Sequence, residues 1–104
     1  MEKQDAFTQA LLRAIDAAEQ EVGVRQPRLR RAVEQYGGIS AVRELCRRGQ
    51  VSDGFDQLAG LGKLALSAEA LAVSAKFNAC FTDDEVNHCF AQLCAANYFG
   101  KARF

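Results

Sequence analysis

The sequence lacks the features that mark secreted and membrane-spanning proteins. It has no basic start followed by a short apolar stretch, and no apolar run near ~18 residues, the length that a membrane helix needs. Basic and acidic residues balance at 13 each, so no overall charge points to nucleic acid or to a membrane surface. We therefore expect a cytoplasmic protein that does not bind a membrane.

Motifs that carry chemistry are also scarce. The chain has one histidine, and it lacks a nucleotide-binding glycine loop, a paired metal motif and a nucleophile-elbow serine. None of its four cysteines forms a C-x-x-C pair, and His88 beside Cys89 points about 100° away from it on a helix. The sequence thus predicts no enzyme, no catalytic residue, no cofactor and no metal. We expect the cysteines to be reduced and to pack as small apolar residues. They are Cys46, Cys80, Cys89 and Cys94.

Three consecutive acids, Asp83, Asp84 and Glu85, allow two interpretations. They could recruit a divalent cation, or they could belong to the first turn of a helix, where the helix dipole favours negative charge. Thr82 precedes them directly, and Thr82 with Glu85 has the spacing of a capping box. The capping interpretation is therefore favoured over a metal site.

Apolar residues instead follow a helical period along most of the chain. The repeat predicts helices over about 5–22, from Pro27 to Tyr36, from about Ile39 to Cys46, and from Asp83 to about Asn97. It places Tyr36 among the inward residues of the second helix and Phe90 in the apolar repeat of the last. No strand pattern of useful length is present, and 104 residues suffice for one modest core. We predict a single all-α domain over residues 1–104, built as a compact bundle of five to six helices.

The stretch from residue 64 to 86 forms the centre of this predicted bundle. Ser67 has the position of an N-cap, and a nearly all-apolar helix should run from it to about Phe77, which we place in the core. Glu69 belongs to the little polar surface left on this helix. Ser52 is similarly placed to cap a short helix that carries Phe55.

Turn glycines, caps and apolar residues between positions 36 and 90 form a further pattern, GF-x-x-L, L-x-L-S-x-E-x-L and F-T-x-x-E. Its residues are Tyr36-Gly37-Gly38, Gly54-Phe55, Leu58, Leu64-Ala65-Leu66-Ser67, Glu69, Leu71, Phe81-Thr82 and Glu85. This pattern resembles that of small uncharacterised bacterial all-helical modules. The resemblance implies a helical fold unit, and it carries no catalytic residues to this chain.

A basic block at residues 25–48 is the main functional signal, and all of its cations are arginines. They are Arg25, Arg28, Arg30, Arg31, Arg43, Arg47 and Arg48, opposed by Glu34 and Glu44. Guanidinium groups match phosphates, and two helices joined at Gly37-Gly38 could sit on duplex DNA. The alternative is a solvated or protein-binding face. The echo of a helix-turn-helix fails by one residue in spacing, and Arg43 falls where a buried residue is usual.

An aromatic tail, Tyr98, Phe99 and Phe104, could either fold onto the core or form an interface with a partner or a second copy. The leading hypothesis is therefore a small non-catalytic protein-interaction or regulatory module that binds a protein partner or forms a dimer. The alternative hypothesis is a nucleic-acid-associated protein that uses the arginine-rich helix pair 25–48.

Overall fold

The computed structural model describes residues 2–96 and 98, with side chains from residue 6 onward. Regular structure in this part of the chain is entirely helical, which confirms the predicted all-α fold. The helices are α1 (Glu2–Val22), α2 (Pro27–Tyr36), α3 (Gly38–Arg47), α4 (Phe55–Gly60), α5 (Ala68–Val73) and α6 (Asp83–Ala95). Two short 3-10 turns, Leu64–Leu66 and Asn78–Cys80, flank α5. No helix in the described ranges has both the length and the apolar character needed to cross a membrane.

Helix α1 contacts α2, α3, α5 and the first 3-10 turn. Its buried stripe consists of Phe7, Leu11, Ile15 and Ala18, spaced three or four residues apart. The ring of Phe7 makes edge contacts with two other aromatic rings, those of Phe77 and Phe81, each at 5.2 Å between centroids. The predicted burial of Phe77 is thereby confirmed.

A single residue, Gly37, joins α2 to α3 at a φ of 90°, a conformation that glycine adopts without steric cost. The next residue, Gly38, is pressed against α1: a Cβ atom there would lie 2.9 Å from Cδ2 of Phe7. Its backbone N–H donates to Oγ1 of Thr8 at 2.8 Å. The start of α3 is therefore fixed directly on the surface of α1.

The central helix is much shorter than predicted. Ser67 does cap α5, because its Oγ accepts from the N–H of Ala70 at 3.1 Å, but the helix ends at Val73. Ser74 leaves helical geometry with a ψ of 154°, and its hydroxyl donates to the carbonyl of Leu71 at 2.7 Å. This local bond competes with continuation of the helix, so residues 74–81 form turns instead.

Helix α6 begins as predicted, whereas two exposed aromatic residues were wrongly assigned to apolar faces. Thr82 and Glu85 form the complete capping box. Tyr36, expected to point inward, is 65% exposed, and Phe90 is 48% exposed. Tyr36 continues the stripe of Leu29 and Val33 but is the last residue of α2, so the end of the helix leaves it exposed. Phe90 lies to one side of the stripe formed by Cys89 and Leu93, where helical period alone does not separate the core from the rim.

Candidate functional site

Two arginines of the basic block are paired with acids of α1. Arg25 lies 3.6 Å from Glu19, and Arg30 donates a hydrogen bond to Asp16. The bond to Asp16 raises the pKa of Arg30 above its ordinary value. These two guanidinium groups therefore help to attach α2, and the segment that precedes it, to α1.

Arg43 connects three parts of the chain. Its Nε atom lies 3.4 Å from a carboxylate oxygen of Glu85, in the capping box of α6. Its terminal nitrogen donates to the carbonyl of Cys80 at 3.2 Å. Arg43 thus stabilises the packing of α3 against the start of α6. The sequence analysis had instead included Arg43 among the arginines that could contact phosphate or a partner.

Arg47 and Arg48 share one carboxylate within α3. Glu44 accepts from Nε of Arg48 at 2.7 Å and from both Nε and a terminal nitrogen of Arg47. These hydrogen bonds lower the pKa of Glu44 and keep it ionised. The charge of the pair is therefore partly neutralised within the helix, although both arginines are exposed.

Arg28 and Arg31 differ from the other arginines of the block. Both are exposed on α2, and no carboxylate among the described side chains lies within ion-pairing distance of either. They are the two cations of the block that remain available to a partner.

The N-termini of both helices in the basic block are already occupied. Asp53 accepts from the N–H groups of Arg28 at 2.9 Å and Leu29 at 3.4 Å, so a distant carboxylate caps α2. The N-terminus of α3 is occupied by Thr8 and buried against α1. A helix that reads DNA presents its N-terminal residues to the major groove, and α3 has no free end to present.

A groove runs between α2 and α3 on the exposed side of the pair. Its two walls are formed by residues spaced four apart, one set on α2 and one on α3. The walls enclose two adjoining depressions of about 480 and 220 Å³. Ala32 and Ala41 lie between them, and Tyr36 stands at one end. We call this feature the α2–α3 groove. Its wall residues are Arg28, Ala32 and Tyr36 on α2, and Ser40, Glu44 and Arg48 on α3.

The segment from residue 49 to 54 closes the other end of the α2–α3 groove and is held by buried polar contacts. The carboxylate of Glu69 accepts from the N–H of Ser52 at 2.7 Å and from its Oγ at 2.8 Å. The carbonyl of Gln50 lies 2.9 Å from Nε2 of His88. Helices α5 and α6 thus both position this segment.

These contacts correct two predictions. Ser52 does not cap α4, because its hydroxyl donates to the carboxylate of Glu69. The N-cap of α4 is Gly54, which has no side chain to cap the helix. Glu69, which was predicted to lie on the polar surface of its helix, is buried and only 2% exposed. Burial raises its pKa, and the hydrogen bonds from Ser52 act in the opposite direction. A lone acid within an apolar stretch was the one signal in the sequence that could have indicated this buried contact.

The four cysteines are free, and two of them meet. Sγ of Cys46 on α3 lies 3.8 Å from Sγ of Cys89 on α6, whereas Cys94 is exposed. No group of three or more histidine, cysteine, aspartate or glutamate side chains in the described part of the chain could hold a metal ion. Cys46 also lines a depression of about 510 Å³ between α3 and the start of α6.

The aromatic tail is only partly described. Tyr98 is half-buried, packs against the apolar cluster that includes Phe55 and Leu93, and donates its backbone N–H to the carbonyl of Leu93 at 2.9 Å. Phe99 and Phe104, the other two predicted interface residues, lie outside the described residues.

The chain matches no protein-family model, no curated protein and no solved structure. The features of the molecule that bear on its function are therefore the basic block and the α2–α3 groove.

Proposed function

We propose that this protein is a small non-catalytic interaction module that binds an acidic amphipathic helix of a partner protein in the α2–α3 groove. The observation that carries the proposal is the groove itself. It has the small apolar residues Ala32 and Ala41 between its ends, an exposed tyrosine at one end, and at the other Arg28, whose guanidinium has no ion-pair partner among the described residues. Helix-in-groove binding uses apolar contacts along one face of the bound helix and charges along its edges.

The side chains of the groove support binding of a protein. Tyrosine and arginine are enriched among the residues that dominate binding energy at protein interfaces. Tyr36 presents a large ring to solvent, and Ala32 and Ala41 leave room for side chains of an incoming helix. Because the residues along each wall are one helical turn apart, a partner helix can place apolar residues at matching intervals.

The charge around the groove supports an acidic partner. Arg28 lies on the groove wall and Arg31 lies one turn further along α2, and neither is paired within the described residues. Two acids lie beside the groove: Glu44, which is paired with Arg47 and Arg48, and Asp53, whose carboxylate caps α2. The four arginines near the groove, Arg28, Arg31, Arg47 and Arg48, outnumber them, so its surroundings carry a positive excess. Carboxylates on the partner would complement it and speed the encounter.

Duplex nucleic acid is the weaker alternative. Five of the seven arginines of the basic block have carboxylate partners, and both helix N-termini in the block are occupied. A one-residue connection between α2 and α3 also departs from the three- or four-residue turn of helix-turn-helix proteins. Within the proposal the protein acts in the cytoplasm, a compartment that keeps free cysteines reduced.

The proposal predicts that the protein binds a fluorescent amphipathic peptide with a leucine stripe and glutamate edges. The same peptide with lysine edges should bind more weakly, because Arg28 and Arg31 would repel it. In fluorescence anisotropy, Tyr36→Ala should weaken binding of the acidic peptide about tenfold, which corresponds to 1.4 kcal/mol. Arg28→Glu should remove the preference for the acidic peptide.

Arg13→Ala is the control, since Arg13 is an exposed arginine of α1 that does not line the α2–α3 groove. It should bind the acidic peptide as the wild type does. Equal binding of both peptides, or no effect of Tyr36→Ala, would contradict the proposal. Salt-dependent binding of a random duplex that is lost with Arg28→Ala would favour nucleic acid, and a dimer disrupted by Tyr36→Ala would make a second copy the occupant.

A further inference from the structure

Cys46 and Cys89 form a close pair although 43 positions separate them in the sequence. Their sulfur atoms are 3.8 Å apart, and a disulfide requires about 2.05 Å, so side-chain rotation has to bring them about 1.8 Å closer. Both thiols lie at the contact between α3 and α6. From this geometry we propose that the pair is a redox modification site, at which hydrogen peroxide converts the two thiols into a disulfide that joins α3 to α6.

The two thiols differ in exposure in the way that such a reaction needs. Cys46 is half-buried and lines the open depression between α3 and α6, whereas Cys89 is only 2% exposed. An oxidant can therefore reach Cys46 first. The depression is polar and its charges are largely balanced, since Arg43 and Arg47 line it together with Glu44, Asp84 and Glu85.

The hydrogen bonding of the pair assigns the same roles. The contact between the two thiols, in which either sulfur can donate, lowers the pKa of Cys46 against the opposing effects of burial and of Glu85. The same contact, together with burial, raises the pKa of Cys89. The Cys46 thiol also lies within donating distance of the carbonyl of Glu85, at 3.6 Å. Thiolate is the reactive form of cysteine, so Cys46 is the thiol that attacks and Cys89 is the one that resolves.

The reaction balances with one peroxide per pair. The Cys46 thiolate attacks one peroxide oxygen, the O–O bond breaks, and hydroxide leaves with Cys46 as a sulfenic acid. The Cys89 sulfur then attacks the Cys46 sulfur, the S–S bond forms, the S–O bond breaks, and the oxygen leaves as water with the thiol proton. The hydroxide takes up the proton that Cys46 released on becoming a thiolate. Two thiols are thus oxidised to one disulfide, and the peroxide is reduced to two molecules of water.

This inference is independent of what binds in the α2–α3 groove. It concerns the contact of α3 with α6, which the ion pair of Arg43 and Glu85 also stabilises. A covalent bond there closes a loop of 43 positions in the unfolded chain, so the oxidised protein should unfold at a higher urea concentration than the reduced protein.

The test treats the reduced, folded chain with a small excess of hydrogen peroxide and maps disulfides by mass spectrometry of its peptides. We expect a Cys46–Cys89 link that forms at least about tenfold faster than in the urea-unfolded chain, because only the fold brings the sulfurs together. Cys94→Ser should form the same link at the same rate, and it is the matched control.

A second variant separates the two chemical steps. Cys89→Ser removes the resolving thiol, so a sulfenic acid should accumulate at Cys46 and be trapped by dimedone, while Cys46→Ser should give no trapped product at Cys89. Peroxide that oxidises only Cys94, or a Cys46–Cys89 link that forms equally fast in folded and unfolded chains, would overturn the proposal. Trapping at Cys89 in place of Cys46 would overturn the assignment of roles.

Discussion

Helices α1–α3 and the segment from residue 48 to 82 are held in different ways. The three helices pack through apolar stripes, such as Phe7 and Leu11 of α1 and Val33 of α2, all of which are buried. In the later segment the helices are six residues long, and Ser52 and Glu69 make polar contacts with each other across 17 positions. The later segment also buries apolar side chains, among them Phe55, Phe77 and Phe81, but most of these lie outside long helices. Apolar periodicity therefore specifies the first region, whereas in the second region individual polar side chains add to apolar contacts that follow no long helical repeat.

The largest expected effect tests the apolar region. Phe7→Ala should lower the free energy of unfolding by about 3–5 kcal/mol, because it removes a fully buried ring and its edge contacts with Phe77 and Phe81. Urea unfolding followed by circular dichroism measures this change. Phe90→Ala, at an aromatic position that is 48% exposed, is the control and should cost clearly less. Equal costs at both positions would mean that the aromatic contacts do not hold this region together.

A smaller effect is expected at the polar contact. Glu69→Ala should destabilise the fold by about 1–3 kcal/mol, because the buried N–H of Ser52 would lose its acceptor. Glu69→Gln keeps an amide oxygen for that N–H and should retain most of the stability near neutral pH. If Glu69→Ala costs more than Phe7→Ala, the contrast between the two regions fails.

The stability of Glu69→Gln should also depend on pH differently from that of the wild type. Burial raises the pKa of Glu69, so the folded chain binds its proton more tightly than the unfolded chain does. The stabilising contribution of protonated Glu69 is complete below the unfolded pKa of about 4.3, and it is lost as the pH rises through the raised folded pKa. As the pH is raised from 4, the free energy of unfolding of Glu69→Gln should therefore fall less than that of the wild type.

The smallest effect is expected at the boundary between the later segment and α6. Thr82→Ala removes the acceptor for the N–H of Glu85 and should cost about 1 kcal/mol, whereas Thr82→Ser should keep most of that stability. Thermal unfolding of both variants measures the difference. Identical melting temperatures for the alanine and serine variants would show that the capping box does not stabilise the start of α6.

Signals within one helical turn were the ones that the sequence could supply. The cap of α5 at Ser67 and the capping box at Thr82 each depend on residues three positions away, and both predictions are confirmed. The apolar repeat likewise predicts the end of α1 and the whole of α2.

Contacts between distant residues could not be predicted in this way. Ser52 looks like a cap in the sequence, and only the fold brings Glu69 to it. Cys46 meets Cys89 because α3 packs on α6, and no spacing in the sequence records that packing. The early end of α5 at Ser74 was missed for a different reason: apolar composition favours a long helix, while one hydroxyl bonded to a backbone carbonyl is enough to end it.

The close contact of Gly38 with Phe7 and Thr8 has a consequence for how a partner would bind. Because α3 is fixed on α1 and joined to α2 by one residue, the two walls of the α2–α3 groove cannot easily separate. The surface is formed before a partner arrives, so little conformational entropy of the module is lost on binding. The backbones of the free and bound module should then superimpose closely, and partners of different affinity should differ mainly in how fast they dissociate.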